Sequence, residues 1–419
     1  MSGPRWPISR DRASRATVRC RRAAVKKFGI LIGAGASVGA FDAPNLRPPL
    51  GADLYDALRA EYADSWGCLT PSLDSKFREA DFGFEQGMNA LWKEGGDQTQ
   101  PALIDMSAYF TRFRIEEEVL PNRYFELTHL LQNICLGSTW FWGSLNYEVL
   151  LECTLLAMGY SPFYQGDHPD NGGPNPALVL KPHGSCNFVP AIGPVTFQGP
   201  MKMKGGHIWI DADLDVKDLD EVEAFCRTTG FPAGMSLYAE GKHSPVIWRA
   251  LEAIRLQWQA EVQTADAMLI IGANPVPEKD PHVWRGIVEG NMPVALVGTC
   301  DDTFSENLAE RLVVLGGHFE TSIGAIREWV TELKISTYME TDSFSPVFGS
   351  LALTAGQSVL VDLSEHTEGD VTFALGEKVP GVLVGITDNG RLDVRLFRPL
   401  RGITNVGVMN DRLQVIALS

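Results

Sequence analysis

Five short stretches of this sequence combine residues suited to holding a phosphorylated ligand and moving a proton beside it. The first, Gly33-Ala34-Gly35-Ala36-Ser37, follows the apolar run Phe28 to Ile32. A strand that ends in glycines and opens toward a helix brings backbone N–H groups near an anion; Gly33 and Gly35 leave room for a pyrophosphate, and Ser37 adds a hydroxyl. Such a turn alone fits many α/β proteins or a mere tight turn, but the end of the first strand is where a dinucleotide site is expected. Asn146, His183, Asn274 and Thr299 each lie just past another predicted strand: Thr139–Gly143, Ala177–Leu180, Ala267–Ile271 and Val294–Val297. A histidine titrates near neutral pH and can accept a proton. An asparagine offers a donor and an acceptor without adding charge. No acidic residue closes a clean second strand, which disfavours a standard dehydrogenase.

These residues need a frame that brings them together. In an open parallel sheet the carboxyl ends of the strands face one crevice, so the five turns converge if the strands are parallel neighbours. Apolar runs alternate with helical patterns. Leu50, Leu54, Leu58 and Tyr62 mark one face of a helix from about Gly51, and Ile247, Leu251, Ile254, Trp258 and Val262 mark another. Ser244 and Pro245 read as the cap and first position of that second helix. Further helices are predicted near 281–290, 303–311 and 321–334, and one is predicted to open at Ser144–Glu148, where Asn146 also suits an N-cap. Trp140, Phe141 and Trp142 read as core, and the acids from Asp211 to Asp220 as a solvated helix start. The expected fold is α/β: a Rossmann-like, mostly parallel sheet with helices on both faces and a helical insert at about 84–135, followed by a small all-β C-terminal domain. The domain reading is 1–27 as a basic, disordered tail, 28–338 as the α/β unit, and 339–419 as the all-β unit, with short β-rich runs separated by turns such as Asp388-Asn389-Gly390.

Composition narrows the function classes. Hydrophobic residues make up 45% and charged residues 21% of 419, which excludes a wholly disordered chain. The net charge of −16 argues against a general nucleic-acid coat. The first 27 residues depart from this, with seven arginines and two lysines against the single Asp11. No apolar run approaches the ~18 residues of a membrane span. Seven cysteines are present without a C-x-x-C pair, so neither a disulfide framework nor a four-cysteine zinc site is legible, and a reducing, cytoplasmic setting is expected. The remaining histidines, His282 among them, show no metal-ligand spacing, and no metal is expected.

The segments FGILIGAGASVGA, GSLNYEVLLE, ALVLKPHGSCNF and AMLIIGANPVPEKDPHVW occur in this order. Together they resemble the sirtuin superfamily over roughly residues 28–335, and most of all its sirtuin-like, NAD-cleaving branch found in bacterial antiphage defence proteins. The resemblance implies NAD as substrate. Gly33, Ala34, Gly35 and Ser37 would line its pyrophosphate, and Asn146 would hold the nicotinamide ribose or a water. His183 would be the base, within an L-H-G-S-type turn completed by Gly184 and Ser185. Glu148 would stand for the acid of an N-Y-D-type turn, and Gly272, Asn274, Gly298 and Thr299 would border the adenosine half. The implied reaction is NAD+ glycohydrolysis to nicotinamide and ADP-ribose, held in check until a partner protein or phage component releases it, in a homo-oligomer. The chain departs from the deacylating members in lacking the paired C-x-x-C motifs, in lacking D-F-R after the first turn, and in carrying Asn274 where serine is usual. Leu131-Gln132-Asn133-Ile134 resembles the family's Q-N-I but falls at a predicted helix end, which favours Asn146. An NAD-dependent protein deacylase and a non-catalytic nucleotide-binding interaction module are the alternatives.

Overall fold

The computed structural model describes residues 27–79, 83–115, 122–134, 139–165, 176–192, 201–204, 207–236 and 244–333, together with strands within 347–415. The basic tail before residue 27, part of the Pro/Gly-rich loop (166–175) and the 388–390 turn lie outside the described residues. The chain begins with β1 (Lys27–Ile32) and α1 (Ala34–Ala40). A helical layer follows: α2 (Gly51–Glu61), α3 (Pro71–Phe77), α4 (Gly83–Glu94), α5 (Thr99–Phe110) and α6 (Arg123–Ile134). Next come β2 (Thr139–Ser144), α7 (Leu150–Ala157), β3 (Ser161–Phe163) and β4 (Pro176–Leu180). Short strands β5 (Phe188–Pro190), β6 (Met201–Lys204), β7 (His207–Ile210) and β8 (Leu214–Val216) lead to α8 (Leu219–Thr229) and α9 (Trp248–Gln263). The α/β region closes with β9 (Ala267–Ile271), α10 (Pro281–Glu289), β10 (Val294–Val297), α11 (Asp302–Leu308), β11 (Leu312–Gly316) and α12 (Phe319–Glu332).

Seven strands form one sheet in the order β11-β10-β9-β1-β2-β4-β3, and every pairing is parallel. A parallel sheet covered on both faces asks for strands that are apolar throughout, which is what KFGILI, AMLII and VALV supply. The pleat divides their side chains between two cores. Phe28, Ile30, Ile32, Leu269, Ile271, Ala295 and Val297 face a cluster shared with α1, α2, α6 and α12. Leu31, Met268, Ile270, Val294 and Leu296 face the other, filled by Leu251, Ile254, Trp258 and Val262 of α9 and by Trp284 of α10. Each of the fully buried Val, Leu, Ile, Phe and Met side chains among these contributes ~1.5–3 kcal/mol. Phe141 and Trp142 are core as expected, while Trp140 is only half-buried. Helices α2 and α3 add an aromatic group to the first of these cores, where Tyr55 stacks on Phe77 at 4.4 Å and Trp66 meets Phe77 edge-on at 5.5 Å. Beyond the α/β region lies a five-stranded antiparallel sheet, ordered 403–408, 392–400, 378–386, 358–362 and 413–415.

Three local expectations are corrected. The helix signalled by Ser244 and Pro245 starts at Trp248. The backbone before it pairs with β7 instead: Ile210 N donates to Pro245 O and Ile247 N to Ile210 O, so tertiary pairing overrides the capping signal. Likewise α7 starts at Leu150, not at Ser144–Glu148, because residues 145–149 form a turn whose Glu148 carboxylate accepts from the Leu150 amide at 2.7 Å. Of the acidic run, Asp218 is the N-cap residue of α8, but Asp211 is buried and paired with Arg249 at 2.5 Å. The edge strand β11 is additional to the predicted strands.

His129 gives the fold a measurable acid sensitivity. It is buried on α6, its ring lying near-parallel to Phe125 at 6.1 Å. Burial, and then the Arg327 charge, push its imidazole from an ordinary 6.5 down to about 4. Between those values the unfolded chain binds the proton more readily than the folded one. The contribution of neutral His129 is therefore complete above 6.5 and is lost as the pH falls toward about 4. Thermal unfolding across that window should show the wild-type Tm falling more steeply than that of His129→Phe; parallel curves would show that the imidazole is not the source.

Candidate active site

Five parallel strands end at one edge of the sheet: β1 at Ile32, β2 at Ser144, β4 at Leu180, β9 at Ile271 and β10 at Val297. Residues just past them carry the ladder one step further. Leu145 N donates to Ile32 O and Gly33 N to Ile271 O at 2.9 Å, and Gly272 N donates to Val297 O and Gly298 N to Gly316 O at 2.8 Å. These bonds set the turns side by side. The strands that follow β1 in the chain, β2 to β4, lie on one side of it and β9 to β11 on the other, so the strand order reverses beside β1, and in an open parallel sheet the crevice is expected at the carboxyl ends there.

Two of these turns touch through bare backbone. Gly272 adopts φ +61°, and a Cβ there would lie 2.0 Å from Ala36 N. A Cβ on Gly33 would lie 2.6 Å from Gly272 O, the same oxygen that accepts from Gly35 N at 2.9 Å. Ala36 N in turn donates to Gly33 O. The amides of Gly33, Gly35 and Ala36 are thus committed to protein carbonyls, and the glycines serve close packing between the β1 and β9 turns. Ala34 is exposed on this turn, as are Asn274 and Thr299 on the turns after β9 and β10, with Gly298 half-buried between them.

Ser37 is fully buried and acts as a hub. Its hydroxyl donates to Glu148 Oε1 at 2.5 Å and accepts from Asn146 Nδ2 at 2.9 Å. Its one proton being used, the 2.8 Å contact to Tyr124 makes the phenol the donor. Asn146 Nδ2 spends its second proton on Gly33 O at 3.1 Å. That fixes the amide orientation and leaves Asn146 Oδ1 buried, with no protein partner. The Glu148 carboxyl is raised above its ordinary range by burial, against the opposing pull of the Lys181 charge and of hydrogen bonds from Ser37 and the Leu150 amide. Burial, and then the Glu148 charge, also hold the Tyr124 phenol well above its usual range.

The turn after β4 locks onto the same network. Lys181 is completely buried, and its Nζ donates to Glu152 Oε1 at 2.8 Å and to Glu148 O at 2.6 Å. Cys186 N and Ser185 Oγ both donate to Tyr147 O, at 2.8 and 3.2 Å. Gly184 has φ +80°, and a Cβ on it would lie 1.8 Å from Gly234 O, so this tight approach admits only glycine. From α9, Arg255 donates to Pro182 O at 3.0 Å and to Ser236 Oγ at 2.6 Å. His183, buried at the centre of this turn, places Nε2 3.4 Å from Asp280 Oδ1.

The structure therefore draws Gly33, Gly35, Ser37, Asn146, Glu148 and Gly272 into direct contact, and ties His183, Gly184 and Ser185 to them through residue 147. Asn274, Gly298 and Thr299 lie on the rim. The side chain of Asn133 lies outside the described part. Sequence spacing missed Tyr124, Lys181, Asp280 and His282. Asp280 and His282 come from the start of α10, nearly a hundred residues beyond His183. Only the D-P-H segment at a strand-to-helix junction could have pointed to them. His282 sits with its ring 5.4 Å from that of His183, and one donor atom from each of His183, Asp280 and His282 lies within 4.8 Å of the others.

No protein-family model matches this chain, and no curated protein sequence does. Solved structures align with it at low identity. One described as the structural basis for the mechanism and regulation of Sir2 enzymes shares 14% identity over 74% of this chain and 94% of its own, with a TM-score of 0.38. A Sir2 homologue in complex with NAD shares 14% over 74% and 90%, with a TM-score of 0.34. The structure of Sir2Af2 bound to a myristoylated histone peptide shares 12% over 74% and 93%, with a TM-score of 0.35. Likeness of this depth carries no residue role across. Among the described residues no helix is long and apolar enough to cross a membrane, and Cys68, Cys153, Cys186, Cys226 and Cys300 are free thiols.

The Lys181–Glu152 pair predicts a coupled stability effect. Lys181→Met alone strands a buried carboxylate and should cost ~3–5 kcal/mol in urea unfolding. Adding Glu152→Leu removes the stranded charge and should recover most of that loss. A double variant no more stable than Lys181→Met would show that the two side chains are not energetically paired.

Proposed function

We propose that this chain cleaves the nicotinamide–ribose bond of NAD+ and passes the ribose to water, releasing nicotinamide, ADP-ribose and a proton. The observation that carries the reading is the Asn146 amide. Both of its protons are held by Gly33 and Ser37, and its buried Oδ1 stands without a protein partner at the carboxyl end of the central strand. A buried acceptor left in this state costs ~1–3 kcal/mol unless a ligand supplies a donor. A ribose hydroxyl or a water is the right kind of donor.

The bond to nicotinamide breaks with the electron pair leaving on the pyridine nitrogen, and the ribose becomes oxocarbenium-like. Asn146 orients the ribose or the attacking water, which loses its proton to His183. Asp280, 3.4 Å from His183 Nε2, stabilises the imidazolium that forms. The roles of the other residues follow from where they lie. Ser37, Glu148 and Tyr124 hold Asn146 in place; in this reading Ser37 positions rather than binds. The close-packed Gly33–Gly272 contact gives the dinucleotide a surface free of Cβ atoms, and the exposed Ala34, Asn274 and Thr299 take its pyrophosphate and adenosine side. Gly184 and Ser185 shape the His183 turn.

The finer assignment is a cytoplasmic, homo-oligomeric effector of bacterial antiphage defence. It is supported by the order of the four sequence motifs, and restraint by the toxicity of unregulated NAD cleavage inside a cell. The helical insert and the C-terminal β region are the candidate regulators, and an activating protein or phage component is the expected trigger. Protein deacylation would share the bond cleavage but hand the ribose to an acyl-lysine; the missing C-x-x-C pairs disfavour it.

The test is release of nicotinamide from NAD+ by the purified full-length chain, without and with an acyl-lysine peptide, and with lysate of phage-infected cells as a source of activator. Wild type should yield nicotinamide and ADP-ribose in equal amounts without peptide. His183→Ala and Asn146→Ala should each lower the rate ~10²–10⁴-fold. Release only with peptide would turn the assignment to deacylation; tight NAD+ binding without release under any of these conditions would turn it to a binding module.

A further inference from the structure

His183, Asp280 and His282 come from two loops at the crevice edge, one after β4 and one opening α10, and their side chains converge. One donor atom from each lies within 4.8 Å of the other two. In a tetrahedral shell with metal–nitrogen distances near 2.0–2.1 Å, neighbouring ligand atoms stand ~3.3 Å apart. His183 Nε2 and Asp280 Oδ1 already stand 3.4 Å apart, so a modest rotation of the His282 ring completes the set. The two imidazoles are inclined at 53° instead of stacked, which suits two rings aimed at one point. Asp280 adds an independent sign. It occupies the N-cap position of α10, where an aspartate is among the favoured capping residues. Its side chain makes no capping bond and turns to His183 instead.

We propose that His183, Asp280 and His282 form a binding site for a divalent transition-metal ion of the zinc class, and that filling it silences the crevice. Two neutral nitrogens and one carboxylate suit such an ion. Calcium and magnesium ask for more oxygen ligands and more negative charge, and Arg255, close enough to feel the Asp280 carboxylate, opposes that charge. The three residues leave a fourth tetrahedral position for water. Silencing rests on the glycohydrolase reading: the nitrogen lone pair donated to the metal is the one His183 would use to accept a proton, so metal and proton transfer exclude each other.

The experiment uses the full-length protein stripped with EDTA and titrated with Zn2+ by calorimetry. Co2+ serves as a spectroscopic probe of coordination, and nicotinamide release is followed in parallel. Wild type should bind one more equivalent of Zn2+ than His282→Ala; comparing the two removes any contribution of surface thiols such as Cys68. The variant should weaken this equivalent at least ~10-fold. NAD+ cleavage by wild type should fall in step with its filling, while His282→Ala, checked for folding by circular dichroism, should cleave NAD+ and ignore Zn2+ in the range that silences wild type. Asp280→Asn should likewise weaken the equivalent. Equal binding by wild type and both variants overturns the site. Zinc bound at the site with undiminished cleavage overturns the silencing. A wild type that binds the extra equivalent but cleaves no NAD+ under any condition keeps the metal site and removes the glycohydrolase.

Discussion

A hydroxyl has one proton to give and two lone pairs to offer, and at Ser37 all three are used: toward Glu148, from Asn146 and from Tyr124. That saturation is the constraint on which the crevice depends. It joins α1, which carries Ser37, to α6, which carries Tyr124, and to the turn after β2, which carries the other two. A change in any one partner leaves a buried polar atom unpaired, at ~1–3 kcal/mol. The turns can therefore shift only together, and the buried Oδ1 of Asn146 keeps one orientation.

The same accounting extends outward. Glu148 accepts on both oxygens, and its backbone carbonyl takes one proton of Lys181, whose ammonium is neutralised by Glu152. A buried ion pair of this kind is a poor source of stability, since desolvation offsets most of the Coulombic gain. Its value here is registry: Lys181 is the first residue past β4, so the bond to Glu148 O sets the height of the His183 turn against the Asn146 turn. A buried network of this kind holds its members rigid, because each shift would break a bond that water cannot replace.

How much of this was legible in the sequence depends on the range of the interactions involved. β1, β9 and β10 were legible because strands buried on both faces must be apolar throughout, and the glycine turns because only glycine permits the backbone contacts at Gly272 and Gly184. The helix start at Trp248 was not, because Ser244 and Pro245 carry a sound local cap signal that pairing with β7 overrides. Asn146 and His183 could be picked out by type and position, but the hub role of Ser37 could not: nothing near it in sequence reveals Tyr124, 87 residues away. His282 looked like a bystander for the same reason, since its neighbours at His183 are supplied by the fold and not by spacing.

Histidine beside a carboxylate is chemically ambiguous. In the proposed reaction the pair His183–Asp280 serves as base and charge stabiliser, and in the proposed metal site the second imidazole makes the same atoms a ligand set. The two uses differ in what they require of His282. Proton transfer needs nothing from it, whereas coordination needs its donor nitrogen turned to the point shared with the other two. On these two proposals together, the choice between an open base and a capped one is local, made at the His282 side chain at the start of α10. No large domain movement is needed to impose it. Any restraint from the helical insert or the C-terminal β region would act in addition to this choice.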